Sequence, residues 1–130
     1  MKRYENEIRK YLKERDWNNL RPVDLAKSIS IESSELLEIF QWTNQELDEV
    51  KKDKEKIEEI KKELADVLIY CFSMGVLLNF DMGKIFLNKL EKVKEKYPAH
   101  LFKNRGKKVD PSSESIYWKI KKEYRNKKNK

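Results

Sequence analysis

The segment from Leu64 to Leu78 limits the fold more than any other part of the sequence, because it is largely apolar and carries one charge, that of Asp66. On a helical wheel this segment is apolar nearly all round, which is typical of a helix in the centre of a protein. It is shorter than the ~20 residues that a membrane span requires, and an acid interrupts it. The segment therefore predicts a central, buried helix in a protein without a membrane span.

The remainder of the chain is typical of long amphipathic helices. Charged residues make up 41% of the 130 residues, while Gly and Pro, 3 of each, are too few for the turns of β-sandwiches and barrels. The apolar spacing and the capping signals predict helices over about residues 2–15, 22–42, 54–79 and 82–96, and a further helix that begins at Asp110 and Pro111. We expect an all-α helical bundle of four core helices plus a C-terminal helix, with a domain over residues 1–108 and a basic helix or tail over residues 109–130.

The sequence has one cysteine, Cys71, and one histidine, His100. One thiol cannot form a disulfide within the chain and suits a reducing compartment, and the N-terminal residues lack the apolar core of a signal peptide, so we expect a cytoplasmic protein. Zinc sites of Cys and His, and His-dependent catalytic triads, have too few residues to form. Any catalysis is expected to depend on carboxylates, Lys, Tyr or a hard metal ion.

The charges are divided between an acidic middle and a basic end. Residues 32–66 carry 12 acidic and 6 basic groups, and residues 119–130 carry 7 basic groups and 1 acid. This division suits a site in which carboxylates hold cations, although runs of like charge also occur on solvated helices. The basic end could attract nucleic acid non-specifically, but Tyr124 is the only aromatic residue among its outermost charges, so we expect a solvated helix end and no nucleic-acid partner.

Two pairs of acids with i, i+3 spacing lie on apolar surface. In the second predicted helix, Glu32 falls inside the apolar arc of the wheel and Glu35 falls at its margin. In the third predicted helix, Glu63 and Asp66 lie at the start of the apolar segment. Acids with this spacing also occur freely on solvated faces, so it is the apolar surroundings that single out these two pairs.

Four carboxylates on apolar surface need a positive partner, because buried like charges cannot all ionise without one. Lys61 and Lys62 are close in sequence, but the wheel places them away from the face that carries Glu63 and Asp66. A cluster of oxygen ligands without His or Cys is typical of Mg²⁺ or Mn²⁺, and Mg²⁺ commonly completes its shell with water and substrate phosphate. The residues therefore predict a metal-dependent phosphate site in a helical bundle.

Several ordered segments of the sequence match a known family. They are Arg15–Trp17 followed by a Pro-containing turn, then Ile31–Trp42, Glu63–Tyr70, Lys89 and Lys96–Pro98. With these segments the chain resembles the MazG-like, all-α nucleoside triphosphate pyrophosphohydrolases, in particular their compact dCTP pyrophosphatase type. The sequence departs from the family at Asp24 and Val93, where members often carry Asn, and this leaves the preference for base and sugar open.

The resemblance implies Mg²⁺-dependent hydrolysis of a (deoxy)nucleoside triphosphate to the monophosphate and pyrophosphate, in house-cleaning or in control of the nucleotide pool. By position, the metal ligands would be Glu32, Glu35, Glu63 and Asp66, one of which would orient or deprotonate the attacking water. The resemblance also implies substrate contacts from Trp17, Trp42, Tyr70, Lys89 and Lys96. Members of the family form homodimers or dimer-based homotetramers, and we expect the same here.

A different class of function fits the same composition. The chain could be a non-catalytic helical module that binds nucleic acid or a protein partner through its basic C-terminal end, with the acids retained as remnants. Metal-dependent nucleotide binding that survives removal of residues 119–130 would favour the enzyme. Steeply salt-dependent nucleic-acid binding that is lost with that segment would favour the module.

Overall fold

The computed structural model describes residues 1–103 and 111–129, and within them the protein is all-α and has no strand. The helices are α1 (Lys2–Glu14), α2 (Pro22–Glu38), α3 (Leu47–Lys52), α4 (Lys54–Leu77), α5 (Met82–Lys96) and α6 (Pro111–Lys128), with a short 3₁₀ helix at Ala99–Leu101. The predicted all-α class is confirmed. The predicted first residues of α2, α4, α5 and α6 are also those observed, because Pro at a first helical position and acids before a helix are specific start signals.

The chain forms two compact units, Met1–Gly83 and Lys84–Lys130. The first contains α1 to α4 and the start of α5, and the second contains the rest of α5, the 3₁₀ helix and α6. The predicted domain boundary between residues 108 and 109 lies outside the described residues. Among the described residues, no helix is long and apolar enough to cross a membrane by itself, and α4 and α5 meet that requirement only when they are counted together across a break.

α4 is the central helix of the first unit and packs against α1, α2 and α3. It begins after Asp53, whose carboxylate accepts a hydrogen bond from the Lys56 backbone N–H at 3.0 Å and so caps the helix. Its contacts with α2 are the most extensive in this unit, so the two helices that carry the acid pairs are direct neighbours.

α4 is less buried than the sequence predicts. The expectation of a helix buried all round is wrong for the single chain, since Leu64, Leu68 and Ile69 remain 46%, 48% and 41% exposed. The reason is that the three neighbouring helices cover α4 only in part. The uncovered surface beside α1, here called the α1–α4 groove, is an apolar cavity of about 520 Å³ lined by Met1, Tyr4, Glu7, Ile8, Ala65, Leu68, Ile69 and Phe72.

The segment between α2 and α4 also differs from the prediction. α2 ends at Glu38, earlier than the predicted residue 42, and the chain continues in turns with hydrogen bonds between residues three apart. The ammonium of Lys56 in α4 lies 5.9 Å from the ring centroid of Phe40 in this segment. α3 was not predicted at all. It is short and begins with a capping box, in which the backbone N–H of Glu46 donates a hydrogen bond to the Glu49 carboxylate at 2.7 Å.

α1 and α4 end in the same way. The second residue after each helix, Asp16 or Asn79, has a left-handed backbone conformation with φ of 55° or 57°. The next N–H then donates to the carbonyl five residues earlier, which at α1 is the hydrogen bond from Trp17 to Leu12 at 2.9 Å. This arrangement is a Schellman motif, and it turns Trp17 back over the last turn of α1.

Candidate metal and nucleotide site

Three carboxylates from α2 and α4 meet in one cluster, called here the acid triad. Each of Glu32, Glu63 and Asp66 offers one oxygen, and these oxygens all lie within 4.8 Å of one another. All three residues are partly buried. The two predicted acid pairs are therefore brought together, because α2 and α4 present their apolar faces to each other and the acids lie on those faces.

The side chain of Glu63 is largely enclosed. Its side chain is 13% exposed, and its Oε2 atom is buried and accepts no hydrogen bond from any described residue. Its Oε1 atom forms an ion pair with Lys62 Nζ at 3.0 Å. A buried carboxylate oxygen without a donor is costly, so the site fits a cation that would satisfy it.

The ion pair corrects one expectation from the sequence. Lys62 was predicted to lie away from the acids, but its flexible side chain, which is 73% exposed, reaches sideways to the neighbouring Glu63. Its pKa is raised, mainly by the hydrogen bond to Glu63 and by the charge of that residue. One exposed ammonium does not neutralise four carboxylates, and it leaves Oε2 of Glu63 without a partner.

Glu35 lies beside the triad and is exposed to solvent. The pKa of its carboxyl group is raised, first by repulsion from the Glu32 carboxylate, then by desolvation, and then by the charge of Glu63. The sequence prediction that Glu35 lies at the margin of the same surface agrees with this position. The acids thus form a three-membered centre with a fourth carboxyl at its rim, and all their donor atoms are oxygen, as hard cations such as Mg²⁺ prefer.

A cavity of about 410 Å³ opens beside the acids. Its lining consists of Tyr11, Leu12, Trp17, Leu20, Leu25, Glu32, Glu35, Asp66, Ile69, Tyr70 and Ser73. Two of the aromatic residues that the resemblance assigns to substrate, Trp17 and Tyr70, therefore line the same cavity as the carboxylates. An apolar, aromatic pocket with charged groups at one end is the usual form of a site for a small ligand with a charged part.

The aromatic wall of this cavity is held by a chain of contacts at the end of α1. The ring of Trp17 meets the ring of Tyr11 edge to face, with centroids 5.7 Å apart. The guanidinium of Arg15 lies 4.2 Å from the Tyr11 ring centroid and donates a hydrogen bond to the Tyr11 carbonyl at 3.1 Å. No role was predicted for Tyr11 from the sequence. Its i, i+4 spacing to Arg15 allows the contact but does not fix it, because the contact depends on side-chain conformation.

Four other residues singled out from the sequence are not among the residues that line this cavity. Trp42 is 88% exposed and does not line the cavity, because α2 ends before it. Asp24 forms an ion pair with Arg21 at 2.7 Å in the first turn of α2. In the second unit, Lys89 is exposed on α5, and the ammonium of Lys96 lies 4.6 Å from the ring centroid of Tyr124.

The fold and the acid cluster define an all-α protein of the MazG-like class. The MazG-like family model matches residues 27–110, and the chain therefore belongs to this family. The match includes both acid pairs and all of α2 after its first residues, α3, α4 and α5.

Particular relatives carry an activity in their names. The chain is 32% identical to human dCTP pyrophosphatase 1 over 97 residues and 31% identical to the protein of the same name from Rattus norvegicus over 91 residues. These alignments cover 73% and 68% of this chain and 57% and 53% of the relatives, so the chain spans little more than half their length. A solved pyrophosphatase from Archaeoglobus fulgidus is 36% identical, with a TM-score of 0.61 over 72% of this chain and 87% of that one.

Proposed function

We propose that this protein hydrolyses a (deoxy)nucleoside triphosphate to the monophosphate and pyrophosphate with the help of Mg²⁺, with Mn²⁺ as an alternative ion. The observation that carries the proposal is the acid triad of Glu32, Glu63 and Asp66, whose oxygens converge within 4.8 Å beside an aromatic cavity. The membership of the MazG-like family and the names of the relatives support the same reaction.

The triad and Glu35 are the proposed metal ligands. When bound, a divalent cation would supply charge neutralisation for the triphosphate and acidify a water molecule. Among these acids, Glu63 fits the role of metal ligand best, because its buried Oε2 atom accepts no hydrogen bond from the described residues. Glu35 is the carboxyl outside the triad but at the same cavity, so we assign it the task of orienting the attacking water and accepting its proton.

In the proposed reaction, the water oxygen forms a bond to the α-phosphorus. The bond between the α-phosphorus and the bridging oxygen breaks, and that oxygen leaves with the β- and γ-phosphoryl groups as pyrophosphate. The proton lost by the water goes to a carboxylate, for which Glu35 is placed. No step requires a covalent nucleophile, in agreement with the lack of a suitable Cys or His in the cavity lining.

The nucleobase is proposed to lie against the aromatic wall. Trp17 and Tyr70 line the cavity, and Arg15 and Tyr11 hold the orientation of Trp17 by the contacts described above. Stacked aromatic rings bind a base without selecting strongly among bases, so this wall supports a nucleoside substrate and leaves its base open. Lys89 and Lys96 are proposed phosphate contacts from the resemblance. We assign no substrate contact to Trp42 of the same chain, because this residue does not line the cavity.

A panel of nucleoside triphosphates, ribo and deoxy, tests the proposal through release of pyrophosphate. We expect release with Mg²⁺ and none with a chelator. Glu63→Gln and Asp66→Asn should each lower the rate by roughly 10–100-fold or more, because each removes a ligand charge. The matched control is Glu58→Gln on the same helix, where an exposed ion pair with Lys61 contributes little and full activity is expected.

Two results would overturn the proposal. One is a folded protein that releases no pyrophosphate from any nucleotide of the panel with either ion. The other is activity that persists with the chelator, or that is the same in Glu63→Gln as in Glu58→Gln. Circular dichroism of each variant distinguishes a lost ligand from a lost fold.

The proposal includes self-association into a homodimer or a dimer-based homotetramer. It is supported by the α1–α4 groove and by the half-exposed Leu64 and Leu68, since an apolar surface of this kind is unusual in a monomer.

A further inference from the structure

Six residues of the second unit form an aromatic and basic surface, of which the proposed hydrolysis uses only Lys96. This aromatic–lysine cluster consists of Lys96, Tyr97, Tyr117, Trp118, Lys121 and Tyr124. The rings of Tyr97 and Tyr117 are stacked, with centroids 5.0 Å apart and an interplanar angle of 16°. The ammonium of Lys121 lies 4.8 Å from the Trp118 ring centroid. Rings and cations are thus adjacent on one surface and do not belong to separate faces.

Three of the four rings of the cluster are exposed to solvent. Trp118 is 46% exposed, Tyr124 is 44% exposed and Tyr117 is 39% exposed. The aliphatic residues of the same helix, Ile116 and Ile120, are less exposed than these aromatic residues. The large apolar side chains that α6 offers to solvent are therefore aromatic.

Helix geometry adds further cations to the side that carries Trp118. At about 100° per residue, four cations fall within roughly 80° of Trp118 on the α6 wheel: Lys121, Lys122, Arg125 and Lys128. Glu123, the only acid among residues 119–130, falls about 140° away on the same wheel. Glu114, at the start of α6, falls about 40° from Trp118, so this side of α6 combines an exposed indole with four cations and one acid.

We propose that this side of α6, together with the aromatic–lysine cluster, binds single-stranded nucleic acid. Unpaired bases stack on exposed aromatic rings, and cations beside the rings meet the backbone phosphates, which is the usual basis of single-strand binding without sequence preference. α6, which carries four of the six residues of the cluster, lies beyond residues 27–110 that the MazG-like model matches.

The position of Trp118 favours nucleic acid over an anionic membrane. A helix that lies on a membrane separates its apolar face from its basic face. Here Trp118 shares its side with Lys121 and Arg125. The sequence alone predicted a solvated helix end, because Tyr124 is the only aromatic residue among the outermost charges. It is the helical turn that places Trp118 beside them.

The direct test is fluorescence anisotropy of a labelled, mixed-sequence single strand of about 16 nucleotides, as DNA and as RNA, titrated with the full chain. A chelator keeps metal out of the acid site. We expect binding that weakens steeply between about 0.05 and 0.2 M salt. Trp118→Ala should weaken it by roughly fivefold or more, the fold-change of one lost stacking contact, and Trp118→Phe should restore most of it.

Two double variants distinguish binding by the Trp118 side of α6 from attraction by the total positive charge. Lys121→Gln with Arg125→Gln removes two cations from the Trp118 side and should lower the salt slope by roughly 1.4. Lys119→Gln with Lys127→Gln removes the same charge at about 100° and 180° from Trp118 and should weaken binding clearly less. Equal losses in the two doubles, with no effect of Trp118→Ala, would overturn the proposal.

Three further outcomes would also overturn it. They are no binding of either single strand, equal affinity for the double-stranded form of the same sequence, and binding to vesicles of phosphatidylcholine and phosphatidylserine in place of the oligonucleotide. Melting temperatures show whether each variant is folded. The result is independent of the proposed hydrolysis, because Glu63→Gln should keep full affinity for the oligonucleotide.

Discussion

The charge of a single residue, Glu35, couples the candidate site to the stability of the protein. Its pKa is raised from an ordinary value of 4.5, with the carboxylate of Glu32 as the main cause. The folded state therefore binds this proton more tightly than the unfolded state, and stability falls as pH rises from the ordinary value through the raised one. Without metal, Glu35→Gln should raise the melting temperature at neutral pH. The gain should disappear below the ordinary pKa, as thermal melting in chelator across pH would measure.

Mg²⁺ should reverse this effect. The cation removes the repulsion, so wild-type protein should be stabilised by it, while Glu35→Gln should bind it about tenfold more weakly. Glu38→Gln, an exposed acid further along the same helix, is the control and should change neither melting nor Mg²⁺ binding. A lower metal-free melting temperature for Glu35→Gln would contradict the repulsion.

At the residue scale, the sequence patterns were enough to choose the candidate acids, but they did not predict which side chains surround those acids. The i, i+3 spacing and the apolar neighbours identified Glu32, Glu63 and Asp66. The wheel fixes where a side chain leaves the helix, but not where a long flexible one ends, and so it misplaced Lys62. It also did not place the ring of Tyr11 under Arg15, since that contact depends on side-chain conformation.

At the scale of helices, the end of α1 is where backbone conformation positions the proposed base contact. Asp16 has a φ of 55°, a conformation that costs a β-branched residue roughly 1–2 kcal/mol or more. Asp16→Val should therefore destabilise the protein by about that amount and displace Trp17, which raises the KM for nucleotide. Asp16→Gly should be neutral or slightly stabilising. Urea unfolding and KM measurements test these expectations.

The end of α4 provides the matched control. Asn79 has the same backbone conformation, with a φ of 57°, but it does not line the cavity. Asn79→Val should cost similar stability and leave the KM unchanged. If Asp16→Val and Asn79→Val had the same effect on KM, the link between the α1 end and the base contact would be wrong.

The helices themselves were predictable where their signals are local. Pro22 and Asp53 mark starts that need no tertiary contact, and α4 and α5 agree with prediction to within two residues at each end. The end of α2 at Glu38 was not predicted, and the residues that follow it include Phe40, whose ring lies near Lys56 of α4, a contact that no local pattern contains. α3 was missed because its capping box, Glu46 and Glu49, resembles any pair of solvated acids.

At the scale of the whole molecule, the site exists because two helices far apart in sequence pack side by side. Each acid pair could be predicted from its own helix. The 4.8 Å convergence of the triad could not, because it depends on the register of α2 against α4. The same limit applies to burial. The wheel showed that α4 is apolar nearly all round, but which side is left uncovered in one chain depends on where α1, α2 and α3 lie.

The uncovered side of α4 predicts the assembly of the protein. The α1–α4 groove contains Leu68, which is 48% exposed in one chain, and burial of such a side chain contributes about 1.5–3 kcal/mol. If a second copy covers the groove, Leu68→Lys should weaken self-association by at least tenfold, as light scattering over a dilution series would measure. Leu47→Lys, at a leucine that is 68% exposed outside the groove, should leave association unchanged. A monomeric wild type, or equal weakening by both variants, would show that a second copy does not cover this groove.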